Sequence, residues 1–308
     1  MIARAAGPAE TLAGRIVDAE YAAAWGLVRA LPAGLAHGAF RLGADLATRR
    51  GGAGVRRLRA NLARVVPDAS PTALDALVRE GMRSYARYWC EAFRLPGMDP
   101  AAVHGRTRIT GTEPFFEALD GGRGVIFAVP HSGNWDTAGV WVVETLRRLG
   151  REPRFTTVTQ KLQPESVYRR FVDYRESLGF EVVAAEDGAA AYRALTRRLR
   201  AGGVVCLVAD RDLTAHGVEV SFLGEPARFP AGPARLAALT GAVLMPAHLG
   251  FTPHGWRVHI AEPVPVPGRD AIGKATQAIA DAFGVLIARA PQDWHALQPI
   301  WTADREAP

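Results

Sequence analysis

Along the first hundred residues, apolar side chains recur at three- and four-residue intervals. Leu12, Ile16, Ala19, Ala23 and Leu27 are spaced as one helical face. Pro32 marks a new start, and "AGLAHGAFRLGADLATRR" continues the helical pattern to the break at Gly51-Gly52. "VRRLRANLARVV" puts Val55, Leu58, Leu62 and Val65 on one stripe with Arg56, Arg57, Arg59 and Arg64 around it, and Pro67 stops it. Ser70 then reads as an N-cap and Pro71 as the first residue of a helix that closes before Pro96.

Beyond residue 100 the texture changes to strands alternating with helices. Strands are expected at 106–110, 124–130, 154–160, 181–185, 204–210, 218–224, 242–250 and 256–262. Helices are expected at 113–120, 135–149, 164–178, 188–201, 231–240 and 271–290. "GVIFAVP" and "GVVCLVAD" are apolar throughout, as strands covered on both faces must be. The pair 242–250 and 256–262, joined by "TPHGW", reads as an antiparallel hairpin. The expected fold class is α/β: a mixed, largely parallel central sheet flanked by helices, with an N-terminal helical segment. Residues 1–100 form that segment and 101–308 the α/β core of a single domain. The N-terminal helices are expected to pack on the sheet or to form a membrane-facing cap.

Composition adds little to the fold and something to the partners. Hydrophobic content is 48% and charged content 22%, ordinary for a folded chain. Cys90 and Cys206 cannot make a disulfide framework and read as reduced core residues. The net charge is +6, and Lys161 and Lys274 are the only lysines. Two readings of that charge stay open: an arginine bias from GC-rich coding, or attraction to an anionic surface. No zinc-finger spacing or RNA-binding aromatic motif supports nucleic acid. Glu10, Asp18 and Glu20 stand where a secretory signal would be apolar. Arg29 and Pro32 interrupt the apolar run around 21–40, and no stretch is expected to span a membrane.

The candidate chemistry begins after the strand at 124–130. In open α/β sheets reactive groups collect beyond the carboxyl ends of the strands. His131 stands there, Ser132, Gly133 and Asn134 make the turn, and Asp136 falls in the first turn of the next helix. Asp136 is expected to fix the imidazole tautomer, leaving His131 as a general base. With 8 histidines and 31 acids in 308 positions, about one such spacing arises by chance, so placement carries the argument. The plain alternative is a helix-terminus charge and a satisfied turn histidine.

A second polar group, Asp210, Arg211 and Asp212, leaves the strand at 204–210 on the same edge of the sheet. It is either a turn with an internal ion pair or a second acid supporting His131, with Arg211 on a phosphate. Arg169, Arg170 and Arg175 line the helix at 164–178, as solvated surface or as a headgroup site. His216 is nearby, but no histidine pair has ligand spacing, so no metal is expected. There is no G-x-S-x-G elbow and no P-loop. A base without a neighbouring nucleophile suggests direct transfer to a substrate hydroxyl or amine.

Several segments together carry a resemblance. "PHSGNWD", "PESVYRRFVDYRESLGFEV", "ADRDLT", "GVEVSFLGE", "PAGPARLA" and "DWHALQPIW", with "YAAAWGLVRALP", "RANLARVVP" and "SYARYWCEAFRLP" upstream, resemble the bacterial lysophospholipid-acyltransferase-like superfamily. More narrowly, they resemble the actinobacterial phosphatidylinositol mannoside acyltransferases, relatives of the late lipid A acyltransferases. The likeness runs over roughly residues 15 to 303.

The resemblance implies transfer of a long acyl chain, palmitoyl in the typical case, from acyl-CoA to a mannose 6-hydroxyl of a phosphatidylinositol mannoside. Other lysolipid or lipid A-like acceptors are the alternative, with a hydrolase or a lipid-binding protein further off. His131 matches the catalytic base, Asp136 its acidic partner, and Asp210 a position where close relatives carry glutamate. Arg175 matches the arginine of "YRESLG", and Gln160-Lys161 stands where relatives carry Glu-Arg. Arg175, Arg211, Trp135, Asn134 and Gln160 are the expected substrate contacts, Trp135 as an acyl-chain liner alongside Phe127 and Trp141. Acyl-CoA enters as co-substrate, with no bound cofactor, metal or nucleic acid. The expected partners are anionic membrane lipids and a glycolipid acceptor, and the expected place is the cytoplasmic face of the plasma membrane, held peripherally. The amphipathic helix at 55–66, with its arginines, is the expected lipid-facing element. "SYARYWCEAF" reads as core or as an interfacial aromatic patch.

Overall fold

The computed structural model describes residues 25–161, 165–212 and 217–306. The apolar positions Leu12, Ile16, Ala19 and Ala23, the helix start at Pro164, and His216 lie outside them. After a helical stretch at 25–30 come α1 (Ala33–Arg50), α2 (Ala53–Val65), α3 (Pro71–Arg94) and α4 (Pro100–Arg106). The Ser70 side chain caps α3 by accepting from Ala73 N at 3.2 Å, with Pro71 in the first turn.

The alternating part follows as β1 (Thr107–Thr110), α5 (Glu113–Asp120), β2 (Val125–Val129), α6 (Trp135–Arg148), β3 (Phe155–Thr159), α7 (Glu165–Ser177), β4 (Phe180–Ala184), α8 (Ala189–Arg200) and β5 (Val204–Val208). Then come β6 (Val218–Phe222), β7 (Glu225–Phe229), α9 (Gly232–Thr240), β8 (Val243–Thr252), β9 (Gly255–Ile260), α10 (Ile272–Ala288) and α11 (Ala303–Glu306). The main sheet has the order β1-β9-β8-β2-β5-β3-β4. Every neighbouring pair is parallel except the β8–β9 hairpin, so the sheet is mixed and largely parallel.

β2 is buried at all five positions because both faces are covered. Ile126 and Ala128 join one apolar cluster with Leu58, Leu62, Leu74, Val78 and Met82 of α2 and α3. Val125, Phe127 and Val129 join the other, with Trp141, Val142 and Val143 of α6. The N-terminal helices therefore share a core with the sheet. The cysteines are both free.

Two expectations change, and one helix bears on a third, that no stretch spans a membrane. The strand at 218–224 does not join the main sheet; β6 pairs only with β7, a strand hidden in "EPARF". Leu223 and Gly224, with φ of 52° and 84°, form the two-residue turn between them. Such turns need left-handed backbone at both positions. The amphipathic helix α2 does not offer its stripe to a lipid surface: Leu58 and Leu62 are fully buried. Its arginines are also engaged. Arg57 and Arg64 meet Asp304, Arg59 meets Asp75, and Arg64 also meets Glu225. Lastly, the segment Arg269–Ala288 is long and apolar enough to cross a membrane by length and composition. Its inner face, with Ile279, Phe283 and Ile287, is packed into the core. "SYARYWCEAF" also turns largely inward: Tyr88 is buried, and Trp89 packs edge-on to Phe171.

Candidate active site

The site is set by strand register. β2 and β5 pair in parallel from Val125↔Val204 to Val129↔Val208. Ala209 N donates to Val129 O just past the strand ends. Continuing the same register, the position facing His131 is Asp210. Its carboxylate takes both hydrogen bonds His131 offers: backbone N to Oδ2 at 3.0 Å and ring Nδ1 to Oδ1 at 2.5 Å. Trp294 Nε1 adds a third, to Oδ2 at 3.0 Å.

Asp210 is 1% exposed. Burial alone would raise its pKa, but the charge His131 can carry and these hydrogen bonds outweigh that and hold it down to about 2. An ionised carboxylate only accepts, so Nδ1 carries a proton, and in the neutral imidazole it is Nε2 that presents the lone pair. The His131 side chain is 29% exposed, and among the described residues nothing hydrogen-bonds Nε2. The result is a fixed imidazole with its basic edge open.

The turn after His131 is held from both sides. The segment Asp293-Trp294-His295 runs antiparallel to His131-Ser132-Gly133. His295 N donates to His131 O at 2.7 Å and Gly133 N to Asp293 O at 2.8 Å. Gly133 has φ of 53°, and a Cβ there would sit 2.6 Å from the Leu249 carbonyl carbon. Only glycine fits that approach. Ser132 is fully buried, with its Oγ accepting from Leu249 N, so it is a structural residue.

Asp136 is not where its spacing suggested. It is 1% exposed, bonded through Oδ1 to Arg175 Nε at 2.9 Å, with Tyr88 Oη 3.5 Å from Oδ2. The expectation that Asp136 backs His131 is corrected: the β2–β5 register gives that position to Asp210. Arg175 is 14% exposed. Burial would lower its pKa, but the Asp136 carboxylate, with smaller contributions from Tyr88 and Tyr174, keeps it firmly protonated. Tyr174 Oη is buried beside it without a hydrogen-bond partner, and burial with the Asp136 charge drives both tyrosine hydroxyls far from ionising.

Asn134 is corrected as well. It is 1% exposed and caps α6, its Oδ1 accepting from Asp136 N and Thr137 N at 3.1 Å. Its Nδ2 donates to Glu91 Oε2 at 3.0 Å. An inward, fully occupied cap does not face substrate. It also takes up backbone donors at the helix start, leaving fewer for an oxyanion. Trp135 lies beside His131, edge-on to it at 6.0 Å, and 4.1 Å from the Tyr88 ring. Arg211 bonds Gln298 Oε1 through Nη1. Gln160 is exposed just past the end of β3, the strand next to β5. Phe127 and Trp141 are packed in the core.

Some participants were invisible to local reasoning. Glu91, 2% exposed, accepts from Arg87, Asn134 and Trp256 at 2.7, 3.0 and 2.7 Å and so ties α3 to the turn. Ser84 donates to Asp293 Oδ1 and meets His295 Nε2 at 2.9 Å. That leaves His295 Nδ1 as a buried lone pair without a partner. Burial, then the charges of His131 and His248, push the His295 pKa down to about 3. "DWHALQPIW" was the available signal for Asp293, Trp294 and His295. Among the described residues, no three His, Cys, Asp or Glu side chains are grouped so as to hold a metal ion.

The chain is similar to known proteins along nearly its whole length. The family described as bacterial lipid A biosynthesis acyltransferase matches residues 11–303. The phosphatidylinositol mannoside acyltransferase of Mycolicibacterium smegmatis is 48% identical over 294 residues, covering 95% of this chain and 94% of that one. The protein of the same name from Mycobacterium tuberculosis is 45% identical over 300 residues, covering 96% and 92%.

Proposed function

The chain belongs to the bacterial lipid A biosynthesis acyltransferase family and is an acyltransferase; from that premise we propose that it moves a palmitoyl group from acyl-CoA to a mannose 6-hydroxyl of a phosphatidylinositol mannoside. The observation that carries the chemistry is the His131–Asp210 pair with the open Nε2 edge.

The steps balance without a covalent enzyme intermediate. Nε2 of His131 takes the proton of the mannose hydroxyl as its oxygen attacks the thioester carbonyl carbon. The carbonyl π pair moves onto oxygen, and Asp210 stabilises the imidazolium that forms. The oxyanion then collapses, the C–S bond breaks, and the CoA thiolate recovers the proton from His131. The thioester is already activated, so the protein's tasks are deprotonation, alignment and oxyanion stabilisation.

Asp136 serves a different end in this reading. Its buried pairing with Arg175 fixes the start of α6 and places a permanent cation beside the site. Arg175, Arg211, Trp135 and Gln160 are the proposed contacts to the two substrates. The proposed place of action is the cytoplasmic face of the plasma membrane, where a lipid acceptor meets a soluble donor. Mass spectrometry of the products formed from palmitoyl-CoA and a panel of mannosylated inositol lipids and lysolipids tests the assignment. One added palmitoyl on a mannosylated inositol lipid is the expected product. Acylation confined to lysolipids would overturn the acceptor.

A further inference from the structure

Trp294 belongs to a segment that holds the turn after His131 and, through its indole, the acid behind the base. The segment is fixed from three sides. Asn61 Nδ2 on α2 donates to Ala296 O at 2.7 Å and to Gln298 O at 3.0 Å. Ser84 on α3 donates to Asp293 Oδ1 at 3.0 Å. Arg257 on β9 and the Phe251 backbone on β8 donate to Asp293 Oδ2 at 2.7 and 3.2 Å. Between these anchors Trp294 pairs with Ser132 as an isolated bridge.

The indole has little freedom of its own. It is fully buried and meets Phe222 and Trp301 edge-on, at 5.9 and 6.3 Å between ring centroids. Trp301 is tied in turn to Phe222 O by its Nε1 at 2.8 Å. An indole N–H only donates. In a place closed to water, an amide or hydroxyl would bring an acceptor with nothing to satisfy it.

The bond from Trp294 decides how the Asp210 carboxylate is turned. A carboxylate offers about four lone-pair positions on two equivalent oxygens. Oδ2 is occupied by His131 N and Trp294 Nε1, each at 3.0 Å, so Oδ1 is the oxygen left for His131 Nδ1. Without the indole donor the two oxygens would compete for the backbone and ring N–H groups of His131. The torsion that turns a carboxylate has broad wells, so nothing intrinsic to Asp210 would choose between them.

We propose that Trp294 is a positioning residue of the acyl transfer: its indole N–H locks the Asp210 carboxylate with one oxygen on His131 Nδ1, and so holds the Nε2 edge in a single orientation toward the acceptor hydroxyl. The role rests on the His131–Asp210 base of the proposed function and is independent of which acceptor is used.

The test uses the full chain carrying Trp294→Phe, and a second variant with β-(3-benzothienyl)alanine at position 294, which keeps the indole shape with sulfur in place of N–H. Each is expected to lose about 10- to 100-fold in kcat while KM for palmitoyl-CoA stays within about twofold. In an Asp210→Ala background, where no carboxylate remains to be oriented, Trp294→Phe should cost little more. Proton NMR of the substrate-free protein reads the same arrangement directly. The low-field resonance of His131 Nδ1–H, identified by its loss in His131→Ala, should move in both variants. Thermal transitions check the fold, and the benzothienyl variant avoids the cavity that phenylalanine leaves. Wild-type kcat in the folded benzothienyl variant, an unmoved resonance, or the same loss from Trp294→Phe with and without the Asp210 carboxylate would each overturn the proposal. A resonance that moves, in a protein whose wild type acylates only lysolipids, would sink the proposed acceptor and leave the role of Trp294 standing.

Discussion

His131 and Asp210 face each other two residues beyond the ends of adjacent parallel strands, and one carboxylate holds both the backbone N–H and the ring Nδ1 of the histidine. The pairing is a property of the sheet. Any parallel register that matches Val129 with Val208 brings residue 131 opposite residue 210. A short aspartate is sufficient because the strands deliver the two residues together.

Replacing Asp210 by Asn should therefore remove charge support while keeping the shape. The expected loss in kcat is about 10² to 10⁴, with KM for both substrates little changed. Steady-state kinetics on the variant, alongside its circular dichroism spectrum, gives the answer. A loss confined to KM would show that Asp210 binds substrate.

Asp136 should behave differently. Removing one partner of a buried ion pair costs about 3 to 5 kcal/mol. Asp136→Ala and Arg175→Ala are each expected to unfold at much lower urea, and the double variant to recover part of the loss. In Asp136→Asn the acid limb of the pH–rate profile should stay in place, whereas in Asp210→Asn it should move. A shift of that limb only in the Asp136 variant would restore Asp136 as the partner of the base.

The two acids show what was legible in the sequence. Both apolar central strands, the hairpin after residue 242 and the position of His131 at a strand end could be read from pattern alone. Asp136 was the obvious acid because it is five residues away. Asp210 reads from its strand-end position as one possible second acid, and the pairing of β2 with β5, which are not consecutive in the chain, makes it the partner of His131. Ser84, Glu91, Trp294 and His295 come from distant segments and carry no local spacing. β7 is hard to read because "EPARF" offers only Ala227 and Phe229 as an alternating apolar pair behind a charge and a proline, and α2 reads as lipid-facing because an amphipathic stripe looks the same whether it meets protein or lipid.

The buried histidines predict acid sensitivity. Burial, with nearby positive charge, holds His248 and His295 down to about 3, against 6.5 when exposed. Between those values the unfolded chain binds protons that the folded chain does not, so stability falls as pH drops through that window. Two such groups give a slope of up to about 3 kcal/mol per pH unit. His248 Nε2 has no hydrogen-bond partner, so His248→Leu should lower the slope by about half at little cost at pH 7. Urea unfolding at pH 7, 6 and 5 measures it, and an unchanged slope would contradict the burial argument.

Gly133→Ala tests the fit of the turn. The left-handed backbone and the 2.6 Å approach to the Leu249 carbonyl carbon both forbid a Cβ. The expected loss is at least about 1 to 3 kcal/mol of stability, with transfer activity falling more than the folded fraction. Thermal unfolding and a transfer assay on the same sample separate the two effects.

The most direct measurement is palmitoyl transfer from palmitoyl-CoA to a mannosylated inositol lipid by His131→Ala, with the fold checked by its thermal transition. The account predicts a wild-type-like transition and a rate lowered by at least about 10³. A folded His131→Ala protein that transfers palmitoyl at the wild-type rate would contradict it.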